Sequence, residues 1–127
     1  MSHAASISLP QAPTAPALAR RIVDRVERLQ PDVAINARLL VSELVANAVR
    51  HVRGEGEIGM QVEVRDHALR VEVRDPGGGF VPKARTSASP QGSGWGLHLV
   101  EVLSDRWGVE GSGPTRVWFE IDRAVGA

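Results

Sequence analysis

Residues 60–80 read Met60-Gln61-Val62-Glu63-Val64-Arg65-Asp66-His67-Ala68-Leu69-Arg70-Val71-Glu72-Val73-Arg74-Asp75-Pro76-Gly77-Gly78-Gly79-Phe80. Met60, Val62 and Val64 alternate with Gln61, Glu63 and Arg65, and Leu69, Val71 and Val73 alternate with Arg70, Glu72 and Arg74. Period-two alternation predicts half-buried strands, and Asp66-His67 predicts the turn between them, so the stretch reads as a hairpin with one apolar face. Asp75 shares the parity of Leu69, Val71 and Val73, which aims its carboxylate to the core side. A carboxylate there is costly unless paired. It either caps the following turn or forms the floor of a pocket that receives a donor from a ligand. The glycines after it permit positive φ and close backbone approach.

Upstream of the hairpin the period changes. Val41, Leu44, Val45, Ala48, Val49 and Val52 recur at helical spacing, which predicts a helix from about Pro31 or Asp32 to His51, ended by Gly54 and Gly56. Before it, Leu18, Ile22, Val26 and Leu29 predict a first helix with Thr14 as N-cap and Pro31 as its breaker. Residues 1–16 carry Pro10, Pro13 and Pro16; within them Ile7-Ser8-Leu9 is a candidate edge strand, and His3 falls in a tail. Downstream, Val81 to Ser93 has no period and reads as a long loop. Gly92-Ser93-Gly94-Trp95-Gly96 leads into a third helix whose Leu99, Val100, Leu103 and Trp107 share a face. A strand near Val109, a turn at Gly111 to Pro114 and a strand from Thr115 to Ile121 close the chain. Segregated helices and hairpins predict an α+β fold: a two-layer α/β sandwich with helices on one face of a mixed, largely antiparallel sheet.

The chain has 127 residues, the length of one domain. Lys+Arg and Asp+Glu are 15 each, a net charge of zero that argues against nucleic acid or an anionic membrane as the main partner. It contains no Cys, which excludes disulfides, thiolate zinc sites and thiol nucleophiles. No apolar run approaches the roughly 20 residues that span a bilayer, and the N-terminus lacks the pattern of a secretory signal, so a cytoplasmic location is expected.

Glu43 and Asn47 lie one turn apart on the second helix, on a stripe that takes Asn36 and Arg50. The stripe is either a solvated polar face or a site in which a carboxylate acts as base beside a carboxamide oxygen. Mg²⁺ prefers oxygen ligands and keeps several waters, so one protein oxygen plus phosphates suffices for it. His51, one turn beyond Asn47, either reaches phosphate or simply sits well at a helix C-terminus. Thr115 has the parity of Val117, Phe119 and Ile121, so its hydroxyl also faces inward. Gly92, Gly94 and Gly96 stand at a helix N-terminus, where free N–H groups suit phosphate. No parallel βαβ unit precedes them and the chain has no P-loop, so any nucleotide site needs another architecture. His3, His51, His67 and His98 make no ligand pair at metal spacing, and the three tryptophans read as packing residues. Arg20, Arg21, Arg25 and Arg28 form either a solvated basic face or a docking face for an acidic partner.

Taken in order, these pieces resemble the histidine kinase-like (GHKL, Bergerat-fold) ATP-binding domain. Glu43-Leu44-Val45-Ala46-Asn47-Ala48-Val49-Arg50-His51 resembles its Asn box, Asp75-Pro76-Gly77-Gly78-Gly79-Phe80 its first Gly box, Gly92-Ser93-Gly94-Trp95-Gly96-Leu97 its second, and Thr115 with Val117 and Phe119 its closing strand. Within that superfamily the chain is most similar to the small anti-sigma-factor serine/threonine kinases of actinobacteria. The resemblance implies an N-terminal segment over 1–16 and the ATP-binding domain over 17–127. It implies ATP and Mg²⁺ as cofactors, Glu43 as general base and Asn47 as metal ligand. Arg50 and His51 would approach the phosphates, which the amides of Gly94, Gly96 and Leu97 would also bind. Asp75 would accept from the adenine amine with Thr115 in support, and Gly77 and Gly79 would hinge a lid over Val81 to Ser93. The implied partners are a sigma factor and an anti-anti-sigma factor that serves as protein substrate, and a homodimer through the N-terminal segment. The alternatives are a non-catalytic ATP-binding partner-switch module and a stand-alone histidine-kinase-type catalytic domain.

Overall fold

The structure, a computed structural model, describes residues 3–51, 55–76, 95–111 and 115–124. The expected hairpin is its centre. β2 (Ile58–Val64) pairs antiparallel with β3 (Ala68–Arg74), and Met60 faces Val73, Val62 faces Val71, and Val64 faces Leu69. The Arg65 N–H donates to the Ala68 carbonyl across 2.8 Å and closes the turn. β1 (His3–Leu9) adds to the outer edge of β2, longer than the three-residue strand expected, and His3 opens it opposite Val64 rather than lying in a tail. β5 (Arg116–Asp122) pairs with the other side of β3, and β4 (Arg106–Glu110) covers β5. The order is β1-β2-β3-β5-β4. Every pairing among the described strands is antiparallel, so the sheet is not mixed. The chain leaves β3, passes through a helix and β4, and returns down β5 as the second arm of a hairpin.

Two helices precede this hairpin pair and one interrupts it: α1 (Ala15–Asp24), α2 (Pro31–His51) and α3 (Trp95–Leu103). α2 begins with Pro31, whose missing N–H is no loss in a first helical turn. Its Val33, Ala37, Leu40, Val41, Leu44, Val45 and Ala48 pack on Met60, Val62, Leu69, Val71, Val73, Val117, Phe119 and Ile121 of the sheet, the expected two-layer arrangement. α1 lies beside α2, with Ala15 and Ala19 fully buried where the two helices approach each other. Arg20 donates to the Ser42 hydroxyl across 2.7 Å, and Arg38 pairs with Asp24. None of the described helices is long and apolar enough to cross a membrane.

Four local expectations change. α1 stops at Asp24 rather than running to Pro31: Arg25 and Val26 take i→i−3 bonds to Ile22 and Val23, and Arg28 turns to φ 62°. Val26 and Leu29 still pack against the core, which is why the spacing imitated helix. Thr14 occupies the N-cap position in a helical conformation and its side chain makes no capping bond; N-cap residues that cap have extended φ/ψ. Trp107 belongs to β4, not to a helical face. The Asp105 N–H donates to the Glu120 carbonyl and captures the chain into the sheet just after α3. Arg20 is committed to Ser42 and so is not part of a free basic face.

Candidate functional site

Two of the polar residues singled out above lie side by side. Asp75 follows directly on β3 and Thr115 directly precedes β5, so the register that pairs Arg74 with Arg116 brings them side by side. The Asp75 N–H donates to the Thr115 carbonyl at 3.1 Å, and the Thr115 N–H approaches Asp75 Oδ1 at 3.4 Å. Asp75 is 4% exposed and Thr115 5%, at the end of the apolar row Leu69, Val71 and Val73. Asp75 faces the core side, as strand parity predicts.

Asn47 is 9% exposed, so the stripe on α2 is buried at that position, although Arg50 one turn on is exposed. Glu43 and Asn36, on the same stripe, are half-buried. The Asn47 Oδ1 accepts a 2.6 Å bond from Arg50 Nη2. A guanidinium only donates, so the carboxamide must present oxygen to Arg50. Among the described residues Glu43 has no hydrogen-bond or ion-pair partner. Six residues separate His51 from Ile58, where β2 begins at the end of the sheet that holds Asp75.

This donor set fits a nucleotide with Mg²⁺. A buried carboxylate beside a threonine suits the amine of a purine. A carboxamide oxygen with a carboxylate one turn away suits a cation that keeps waters and phosphates as its other ligands. Among the described residues no group of three or more His, Asp or Glu side chains is placed to hold a metal unaided. Gly96 and Leu97 fall in the first turn of α3, where backbone amides lack helical partners. Gly77, Gly79, Gly94 and the Val81 to Ser93 loop lie outside the described residues, as does the His51 side chain.

One support of this end was not legible in the sequence. Gln11 Nε2 donates to the Gly56 carbonyl, and a Cβ on Gly56 would come within 2.8 Å of Pro76 Cβ. Gly56 also has φ 124°, which L side chains rarely adopt. It fits under Pro76, next to Asp75, because it is glycine. The glycine itself was visible as a helix stop; its contact with Pro76 had no local signal.

The outer face of the sheet carries a second polar cluster. Glu120, 8% exposed, accepts from Arg106 Nε at 2.7 Å and from Arg65 Nη1 and Arg70 Nη1 at 3.1 Å each. The Arg106 hydrogen bond, followed by that from Arg70, holds the Glu120 carboxyl below its ordinary range against the opposing effect of burial. Arg65 also bonds Glu63 and lowers its pKa, and Arg106 pairs with Asp122. Arg70 lies 4.2 Å over the Trp118 ring, whose other neighbour is Gly108. Trp118 is a packing residue, as expected, but Trp107 is 36% exposed.

The sequence matches the profile of the family described as Histidine kinase-like ATPase domain over residues 8–121. It is 31% identical to the sensor histidine kinase component HK1 of Mycobacterium tuberculosis strain ATCC 25618 / H37Rv, covering 67% of this chain and 59% of that protein. It is also 31% identical to a sensor histidine kinase HK of the CDC 1551 / Oshkosh strain, covering 67% of this chain and 26% of that protein. The chain thus spans about three fifths and about a quarter of these curated relatives. The fold is similar to a crystal structure of the RsbU and RsbW domains of Rv1364c from Mycobacterium tuberculosis, with TM-score 0.73 and 20% identity, covering 97% of this chain and 33% of that one.

Proposed function

The chain belongs to the histidine kinase-like ATPase domain family, and from that premise we propose that it is a regulatory protein kinase of the anti-sigma-factor type. It binds ATP with Mg²⁺, transfers the γ-phosphoryl group to a serine or threonine of an anti-anti-sigma factor, and binds a sigma factor. The observation that carries the ATP reading is the placement of two buried polar groups, Asp75 and Thr115, side by side at the end of an apolar sheet face. The fold shared with an RsbW-containing structure supports the partner-switching reading.

The residues then divide the work. Asp75 accepts a hydrogen bond from the adenine amine, and Thr115 holds Asp75 in line through the backbone bonds described. Asn47 offers its carboxamide oxygen to the metal. Mg²⁺, when bound, neutralises charge on the phosphates. Arg50, His51 and the amides of Gly94, Gly96 and Leu97 complete the phosphate cradle, and Gly77 and Gly79 hinge the covering loop. Glu43 accepts the proton of the attacking hydroxyl, a base worth about 10²–10⁴ in rate. Catalysis is mostly positioning and charge stabilisation.

Incubating the purified chain with γ-labelled ATP, Mg²⁺ and the proteins that co-purify with it tests this reading. An acid-stable phosphoester on a partner's Ser or Thr is the expected product. Acid-labile phosphohistidine would assign the chain to the histidine-kinase alternative that its curated relatives represent. ATP binding without transfer to any partner would assign it to the non-catalytic alternative.

A further inference from the structure

Resting on that reading, we infer that Arg50 is a stand-in cation at the metal ligand: its guanidinium and the divalent ion compete for the Asn47 carboxamide oxygen, so that the oxygen is released only when phosphate draws Arg50 away. Three observations carry this. The Arg50 Nη2 to Asn47 Oδ1 bond is 2.6 Å, a close contact to the very atom that the metal needs. Arg50 is exposed on the last turn of α2 while Asn47 is buried, so the carboxamide is fixed and the guanidinium is the part that can leave. Among the described residues Arg50 has no carboxylate partner that would hold it elsewhere.

The chemistry makes the two occupants exclusive. A guanidinium and a divalent ion on one amide oxygen place like charges within about 4 Å, and Mg²⁺ demands near-ideal octahedral geometry that a crowding donor disturbs. The cap also has a use. Because a guanidinium only donates, it keeps the carboxamide turned with its oxygen toward the site in the nucleotide-free protein. The negative end of the α2 dipole favours a cation in that position. A triphosphate is a stronger acceptor than an amide for a planar fork of donors, so nucleotide entry removes the cap and uncovers the metal ligand together.

The readout is the Mg²⁺ enhancement, the ratio of ATP affinity measured by calorimetry in excess Mg²⁺ to that in EDTA. Arg50→Met keeps the stem and removes the charge. It is expected to raise the enhancement about three- to tenfold, an effect scaled down for an exposed cation. It should also lower ATP affinity in EDTA, where the phosphates lose Arg50. Asn47→Ala should abolish the enhancement in both the parent and the Arg50→Met background, so that the two substitutions are non-additive. An enhancement that Arg50→Met leaves unchanged or reduces, with Asn47→Ala still abolishing it, overturns the competition and leaves Arg50 as a phosphate contact. Full enhancement in Asn47→Ala overturns the metal assignment of Asn47 and the competition with it. Thermal melts of each variant without nucleotide establish that every one is folded.

Discussion

Two polar clusters flank the same sheet, and they are built on opposite rules. On the outer face, both oxygens of Glu120 are taken, one by Arg106 and the other by Arg65 and Arg70. On α2, which covers the inner face, Glu43 has no partner among the described residues, and Asn47 is held by an exposed arginine that can let go. The outer cluster is complete within the chain, which is what a stabilising network requires. The inner one leaves the Glu43 carboxylate without a partner among the described residues, open to a visiting molecule. On the proposed reading, similar residue types serve stability in one place and binding in the other, and completeness of pairing separates them better than charge or burial does.

Substitutions should split the two clusters cleanly. The largest effect is expected at Glu43. Glu43→Gln should lower phosphotransfer about 10²–10⁴-fold while leaving ATP affinity within about threefold, because a base acts only as the proton moves. Single-turnover transfer beside calorimetric affinity measures both, and a variant that loses binding but keeps turnover would reverse the assignment. Next is Asp75→Asn, which should weaken ATP binding by about 10- to 100-fold, the worth of a hydrogen bond to a buried charged group. Competition with GTP should show a narrower preference among bases; unchanged ATP affinity in the folded variant would remove Asp75 from the site.

Glu120→Gln is expected to do the reverse of both. ATP affinity should stay as in the parent, while stability at pH 7 falls by about 1–2 kcal/mol, a figure kept low because the arginines are partly exposed. The pH dependence has a definite sign. The folded Glu120 carboxyl is held below its ordinary value, so its contribution is complete above the unfolded pKa of about 4.3 and is lost as pH falls through the folded value. Urea midpoints between pH 7 and pH 3 should therefore drop more steeply for the parent than for the variant. Parallel curves would mean that the network does not contribute through this charge. The smallest effect is expected at Arg65→Gln, one donor of three with a side chain 43% exposed. It should cost under about 0.5 kcal/mol, and a larger loss in chemical denaturation would show that the network depends on every member.

Much of this was legible in the sequence, for reasons of periodicity. Period two placed Asp75 and Thr115 on the core side before any coordinates did, because a strand offers only two faces. Glu120 lies on the opposite face, where three arginines from β3, β4 and the β2–β3 turn converge on it only through register, which alternation does not encode. Helical spacing found α2 and its stripe. It could not say that Asn47 is buried, because that depends on how the C-terminal turn of α2 seats over the sheet. It also carried α1 too far, since Val26 and Leu29 reach the core from a turn as well as from a helix. The close fit of Gly56 under Pro76 joins residues twenty apart and leaves no local trace.

The sheet order has a consequence for how such a chain can vary. β3 and β5 are hydrogen-bonded neighbours at the middle of the sheet, yet the chain departs after Asp75 and re-enters at Thr115. Those two residues act as the fixed ends of an excursion whose length they do not constrain. Closing a longer flexible loop costs only about 0.6 kcal/mol for each doubling. Insertions and deletions between Pro76 and Trp95 are therefore expected to be cheap for the fold, leaving Asp75 and Thr115 in register. On the proposed reading, such changes would remodel what covers the nucleotide, and hence which proteins meet it, without rebuilding the pair that reads the base.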